Sequence, residues 1–123
     1  FGPCRAKGIQ LVVMAGFLKH VSIPNDYAGR VINIHPSLLP SFGGAGMYGN
    51  RVHQAALDRG VQFSGCTVHY VDNDYDNGPI ILQRCCTVAH DDTADSLTAR
   101  VFQMECEALP TALLEAASVL QQY

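Results

Sequence analysis

Leu11-Val12-Val13-Met14-Ala15 is an unbroken apolar run closed by Gly16, too short for a helix and apolar on both faces. That pattern predicts a central parallel strand. A second strand is predicted over 30–34, where Val31, Ile32 and Ile34 are interrupted by Asn33. The crossover between them contains Pro24 and Gly29, which predicts an irregular or briefly helical path. Asn50 is placed to cap a helix running to about Arg59, with Gly60 just past its end. From Val61 to Val71 the chain alternates, so Val61, Phe63, Gly65, Thr67, His69 and Val71 share one face of a strand. Pro79 to Val88 reads as another strand, joined to it by an Asp- and Asn-rich loop. Asp91-Asp92-Thr93 opens a C-terminal helix with Leu97, Val101, Met104 and Ala108 on one side. Pro110 either kinks that helix or starts a second one.

These elements describe one α/β domain, and the length of 123 residues allows no more. A strand apolar on both faces needs flanking strands and helices on either side. Four strands and two or three helices are few for that, and the sequence starts at Phe1. The expectation is a piece of a domain whose N-terminal portion is missing. With 48% hydrophobic residues, 15% charged residues and a net charge of −3, the chain carries no basic excess that would recruit nucleic acid. No apolar run approaches the roughly 20 residues that cross a bilayer, and none has the pattern of a signal peptide. The five cysteines are odd in number and two of them, Cys85 and Cys86, are adjacent. They read as reduced thiols packed as small hydrophobes. There is no C-x-x-C or H-x-x-x-H spacing, so no metal is expected.

The chemistry concentrates where the second strand ends, in Asn33-Ile34-His35-Pro36-Ser37-Leu38-Leu39-Pro40. Strand alternation points Asn33 and His35 to the same side, about 7 Å apart. Pro36 holds His35 extended and stops the ladder. An amide donor and a titratable imidazole are thus displayed at the carboxyl end of a strand, where open α/β sheets bind ligands. The competing reading has both side chains capping the strand through backbone hydrogen bonds. The loop after Pro40 carries Gly43, Gly44, Gly46 and Gly49, which let backbone approach a ligand closely.

Asp72, Asp74 and Asp76 alternate before Gly78, but the glycine is one place late and Gln83 stands where calcium needs a glutamate. The loop is either a solvated connection or a source of one carboxylate, best Asp76, for an imidazole. Thr67 and His69 share a strand face and either support such a site or sit satisfied in the core. His53 reads as an exposed helix residue, and His20 and His90 as loop residues. Glu105 lies at the margin of an apolar stripe, reaching water or accepting hydrogen bonds from sugar hydroxyls.

Four ordered blocks carry a further signal: Met14-Ala15-Gly16-Phe17-Leu18-Lys19, Asn33 to Pro40, Gly65-Cys66-Thr67-Val68-His69, and Asp76-Asn77-Gly78-Pro79-Ile80-Ile81-Leu82-Gln83. Together they resemble the phosphoribosylglycinamide formyltransferases over most of the chain, from about residue 10 to residue 110. The resemblance implies an α/β, Rossmann-like formyltransferase fold with a mixed, mostly parallel central sheet. Residues 1–123 would be a single domain lacking its N-terminal phosphate-binding portion. It implies transfer of a formyl group from 10-formyltetrahydrofolate to the amine of glycinamide ribonucleotide, with Asn33, His35 and Asp76 as the catalytic triad. The folate would lie against Leu18, Lys19, His20, Val21, Val71, Asp72, Asn73 and Asp74. Pro36 and Glu105 would contact the ribonucleotide, and Thr67 and His69 would support the triad from behind.

Partners would be these small molecules, with no metal, nucleic acid or membrane. Cytoplasm and plant plastid are both compatible locations. Two features depart from the pattern: the loop Ser41 to Arg51 is long and glycine-rich, and Cys106 stands where a histidine is frequent. Formyltetrahydrofolate hydrolase is a sibling reading, disfavoured by Pro36-Ser37 after the histidine. A methionyl-tRNA formyltransferase would carry Arg-Trp after Leu-Leu-Pro, where this chain has Ser41-Phe42 and no tryptophan. A non-catalytic folate-binding module is the alternative of a different class.

Overall fold

Asn33 and His35 owe their position to a four-stranded sheet in which the second strand is paired on both sides. The computed structural model describes residues 2, 11–15, 23, 26, 29–71 and 78–120. Strands β1 (Val12–Ala15) and β2 (Val31–His35) are parallel, with Met14 beside Asn33. β3 (Phe63–Tyr70) runs antiparallel to β2, and β4 (Ile80–Thr87) antiparallel to β3, in the order β1-β2-β3-β4. The expected mixed sheet is present. Its parallel character is smaller than expected, however, because among the described strands only β1 and β2 are parallel. An apolar run encodes burial and not direction. The short link between β3 and β4 dictates the antiparallel pairing, since parallel neighbours need a crossover of a dozen residues or more. β1, expected to be central, is at the edge of the described sheet, and Val13 is 40% exposed. The connection between β1 and β2 lies largely outside the described residues.

Helix α1 spans Asn50–Arg59 and ends where Gly60 turns left-handed at φ 78, its N–H donating to the carbonyls of Ala56 and Leu57. A glycine meets that conformation without a Cβ clash, as the sequence predicts. The start differs from expectation. Gly49, not Asn50, is the capping residue, and no side chain caps the helix. Asn50 is instead drawn to the second helix, donating to Asp95 Oδ1 at 3.3 Å and accepting from Thr98 Oγ1 at 3.0 Å.

Helix α2 (Ala94–Leu120) is one continuous helix that carries Pro110 inside it. Thr93 and Ser96 cap its start reciprocally: the Ser96 N–H donates to Thr93 Oγ1 and the Thr93 N–H to Ser96 Oγ. Asp92 anchors the same end. Its carboxylate accepts from the Ala89 N–H, from Ser96 Oγ and from both Nη atoms of Arg100. Arg100 also donates to the Thr87 carbonyl, tying α2 to the end of β4. No helix among the described residues is long and apolar enough to cross a membrane.

The core forms where α2 lies across the sheet. Ile32 and Ile34 of β2, Cys66 and Val68 of β3 and Ala56 of α1 pack against Leu97, Val101, Ala108 and Ala112, with Met104 half-buried beside them. Register assigns the faces: Ile34 is opposite Val68 and Ile32 opposite Tyr70, whereas His35 is opposite Thr67 and Asn33 opposite His69. One face of β2 and β3 is therefore apolar under α2, and the other is polar.

Two outcomes follow from this framework. A Cβ at Gly65 would overlap the backbone carbonyl of Arg84 and stand 2.8 Å from the Cys85 Cα. Gly65→Ala should cost about 1–3 kcal/mol, measured as a shifted urea midpoint at unchanged slope. The Arg100 guanidinium and its other donors hold the Asp92 carboxyl well below its ordinary 3.8. A carboxylate depressed on folding stabilises above its unfolded value and loses that contribution as pH falls through the folded one. Asp92→Asn should therefore lower Tm at pH 7, and the gap to the parent should close below pH 3.8.

Candidate functional site at the end of strand β2

The polar face of β2 and β3 is buried as thoroughly as the apolar one. His35 is 4% exposed, Thr67 0% and His69 2%. Buried polar groups are expensive unless hydrogen-bonded, so their partners define the site. His69 uses Nδ1 toward the Tyr70 carbonyl at 2.9 Å. Asn33 is different: its Oδ1 is buried and has no hydrogen-bond partner. An amide with its oxygen turned into the protein presents its two-proton nitrogen the opposite way.

After His35 the chain folds back over this face. Thr67 Oγ1 donates to the Ser37 carbonyl at 2.7 Å and accepts the Leu39 N–H at 3.0 Å. Ser37 Oγ donates to the Ser41 carbonyl at 2.6 Å, and the Ser41 N–H to the Leu38 carbonyl at 3.0 Å. The turn delivers the Phe42 carbonyl to His35 Nε2 at 2.8 Å. Pro36, which begins the turn, is half-buried.

A second histidine stands nearby. His53 of α1, expected at the surface, is 2% exposed. Burial first, and then the charge of His35, hold its imidazole below the ordinary value, and its Nδ1 is buried without a partner. Burial and the neighbouring His35 both disfavour a proton on His53. Its helical neighbours Val52 and Ala56 are buried on the same side of α1, a spacing visible in the sequence.

Glu105 belongs to α2, which packs on the apolar core, and it is close enough to Cys66 for its charge to act on that thiol. Burial first, then Glu105, push Cys66 up to about 11, and burial raises the Glu105 carboxyl as well. Val71 is half-buried and its N–H donates to the Val31 carbonyl at 2.8 Å. Asp76 and the expected folate contacts Leu18, Lys19, His20, Val21, Asp72, Asn73 and Asp74 lie outside the described residues. The structure therefore brings together Asn33, His35, Thr67 and His69 and adds His53 and Gln83. Gln83 sits opposite Thr67, a position legible only once the β3–β4 register is known.

An oriented amide beside a histidine can stabilise an oxyanion and move a proton. Known proteins share this framework. The phosphoribosylglycinamide formyltransferase, chloroplastic, of Arabidopsis thaliana is 43% identical over 103 residues, covering 82% of this chain and 35% of that protein. The crystal structure of glycinamide ribonucleotide transformylase 1 from Symbiobacterium toebii superposes with a TM-score of 0.85 at 38% identity, over 95% of this chain and 54% of that one. A formyltetrahydrofolate deformylase from Pseudomonas syringae pv. tomato superposes with a TM-score of 0.79 at 34% identity, over 91% of this chain and 37% of that one. The chain thus spans about a third of the curated relative's length and about half that of the transformylase structure. Residues 3–113 match the formyl transferase family model, and with the α/β sheet and the Asn33–His35 face in place the chain belongs to the formyl transferase family.

Proposed function

We propose that the protein transfers the formyl group of 10-formyltetrahydrofolate to the amine of 5'-phosphoribosylglycinamide, a step of purine synthesis. The observation that carries this reading is the Asn33 amide beside His35, its oxygen buried and unpaired. Leaving such an acceptor unsatisfied costs about 1–3 kcal/mol, and that cost is intelligible where the nitrogen has a catalytic use. Family membership and the names of the relatives support the reaction class.

The substrate amine attacks the formyl carbon, and the carbonyl oxygen becomes a tetrahedral oxyanion. Asn33 Nδ2 donates to it, and protonated His35 adds charge stabilisation. Asp76 orients His35 and an ordered water. Through that water a proton passes from the attacking amine to the folate nitrogen as the bond to the formyl carbon breaks. Pro36 and Glu105 contact the ribonucleotide, and Leu18 to Val21 with Val71 to Asp74 bound the folate. No step needs a metal. The chloroplastic name of the plant relative supports a plastid location, and the chemistry is the same in a cytoplasm.

The deformylase relative favours a second reading, in which water replaces the amine and formate is released. One assay separates them. Supplied with 10-formyltetrahydrofolate, the intact protein should consume it only when glycinamide ribonucleotide is present. Formate release at an equal rate without the acceptor would establish the hydrolase instead, and folate binding with neither reaction would leave a binding module.

Within the transferase, Asn33→Ala should lower kcat about 100- to 1000-fold by removing an oxyanion donor. Asp76→Asn should lower kcat about 100-fold or more. Its folate Kd, measured by calorimetry, should stay near the parent value, and full activity in that variant would remove Asp76 from the mechanism.

A further inference from the structure

Three side chains stand in a row across the polar face of the sheet. His35 on β2 is opposite Thr67 on β3, which is opposite Gln83 on β4. The row does not end at the sheet. Gln83 Nε2 donates to Thr67 Oγ1 at 3.0 Å and to the Leu39 carbonyl at 3.1 Å. Thr67 Oγ1 therefore has its full complement: it donates once, to Ser37, and accepts twice, from Leu39 and Gln83. That arrangement orients the Gln83 amide. The Leu39 oxygen can only accept, and the threonine proton is already given to Ser37, so both contacts need the amide nitrogen.

These bonds seat the turn over residues 37–41 on the sheet, and the residue directly after it is Phe42. Among the described residues Phe42 is the one non-glycine residue at positive φ, with φ 56. Side chains other than glycine adopt that region at a cost, and they persist there where surroundings over-determine them. Here the surroundings are the anchored turn on one side and packing of the Phe42 ring against the core on the other. The result is the carbonyl that meets His35 Nε2. A carbonyl has no proton to give, so Nε2 carries one.

We propose that Gln83 is a positioning residue for His35. Through Thr67 and the 37–41 turn it holds the Phe42 carbonyl against Nε2–H, fixing the orientation and tautomer of the imidazole. The proposal rests on the formyl-transfer reading for its consequence in turnover, and on geometry alone for its consequence in the ring.

The test measures both, on the intact protein. Gln83→Met keeps the length of the side chain and removes its donors, and Gln83→Glu keeps its polarity but cannot donate when ionised. Each should lower kcat about tenfold or more, the scale of a small misplacement of a reacting group, with KM for both substrates nearly unchanged. The pH dependence of kcat should shift with it. Thr67→Val should behave alike and add little to Gln83→Met, whereas Thr67→Ser, which keeps the hydroxyl, should stay near the parent. Nitrogen-15 spectra of the His35 ring should show Nε2–H in the parent and a mixture of tautomers in Gln83→Met. Parent-like tautomer and pH profile in both Gln83 variants would overturn the proposal, as would a loss confined to Tm or to KM. A parent without transferase activity whose ring still changes tautomer in Gln83→Met would sink the reaction and leave the positioning role standing.

Discussion

The pairing of β2 with β3 is the constraint on which the rest of this molecule depends. With Ile34 opposite Val68 and His35 opposite Thr67, β2 sends isoleucines under α2 and its amide and imidazole to the other side. A slip of one residue would exchange every side chain between the faces, burying His35 under α2 and sending Ile34 to the polar face. The core and the site are therefore specified together. Burial of Ile32 and Ile34, worth roughly 1.5–3 kcal/mol each, holds the register that orients Asn33 and His35.

The polar face is buried without being apolar, and its stability comes from pairing. Thr67 is fully enclosed and every hydrogen-bonding position of its hydroxyl is used. The same hydroxyl serves three partners from a turn and a neighbouring strand, so it replaces several weak constraints with one shared one. Asn33 departs from this rule and so does His53, each with a buried atom left unpaired. Both stand beside His35, in sequence or in space.

Charge is distributed with the same economy. Burial and the neighbouring His35 hold the His53 imidazole below its ordinary value. Glu105 and Cys66 are pushed toward their neutral forms by burial and, for the thiol, by the carboxylate. The ion pair of Asp92 with Arg100 lies at the N-terminal end of α2 and, with the Arg100 bond to Thr87, joins that helix to β4.

Periodicity and turn chemistry were enough to place the four described strands to within a residue or two, the helices α1 and α2, and the glycine that ends α1. Each of those signals is local: apolar runs, alternation and a left-handed turn are written in adjacent residues. Strand alternation also put Asn33 and His35 on one side, and the quoted blocks pointed to the formyl transferase family. Strand direction beyond β1 and β2, the recruitment of Asn50 to α2 in place of a cap, and the continuity of α2 through Pro110 were decided by tertiary packing. So were the burial of His53 and the partnership of Gln83 with Thr67. These depend on which distant residues meet, and a residue's own neighbours in the chain carry no record of its partners across a sheet.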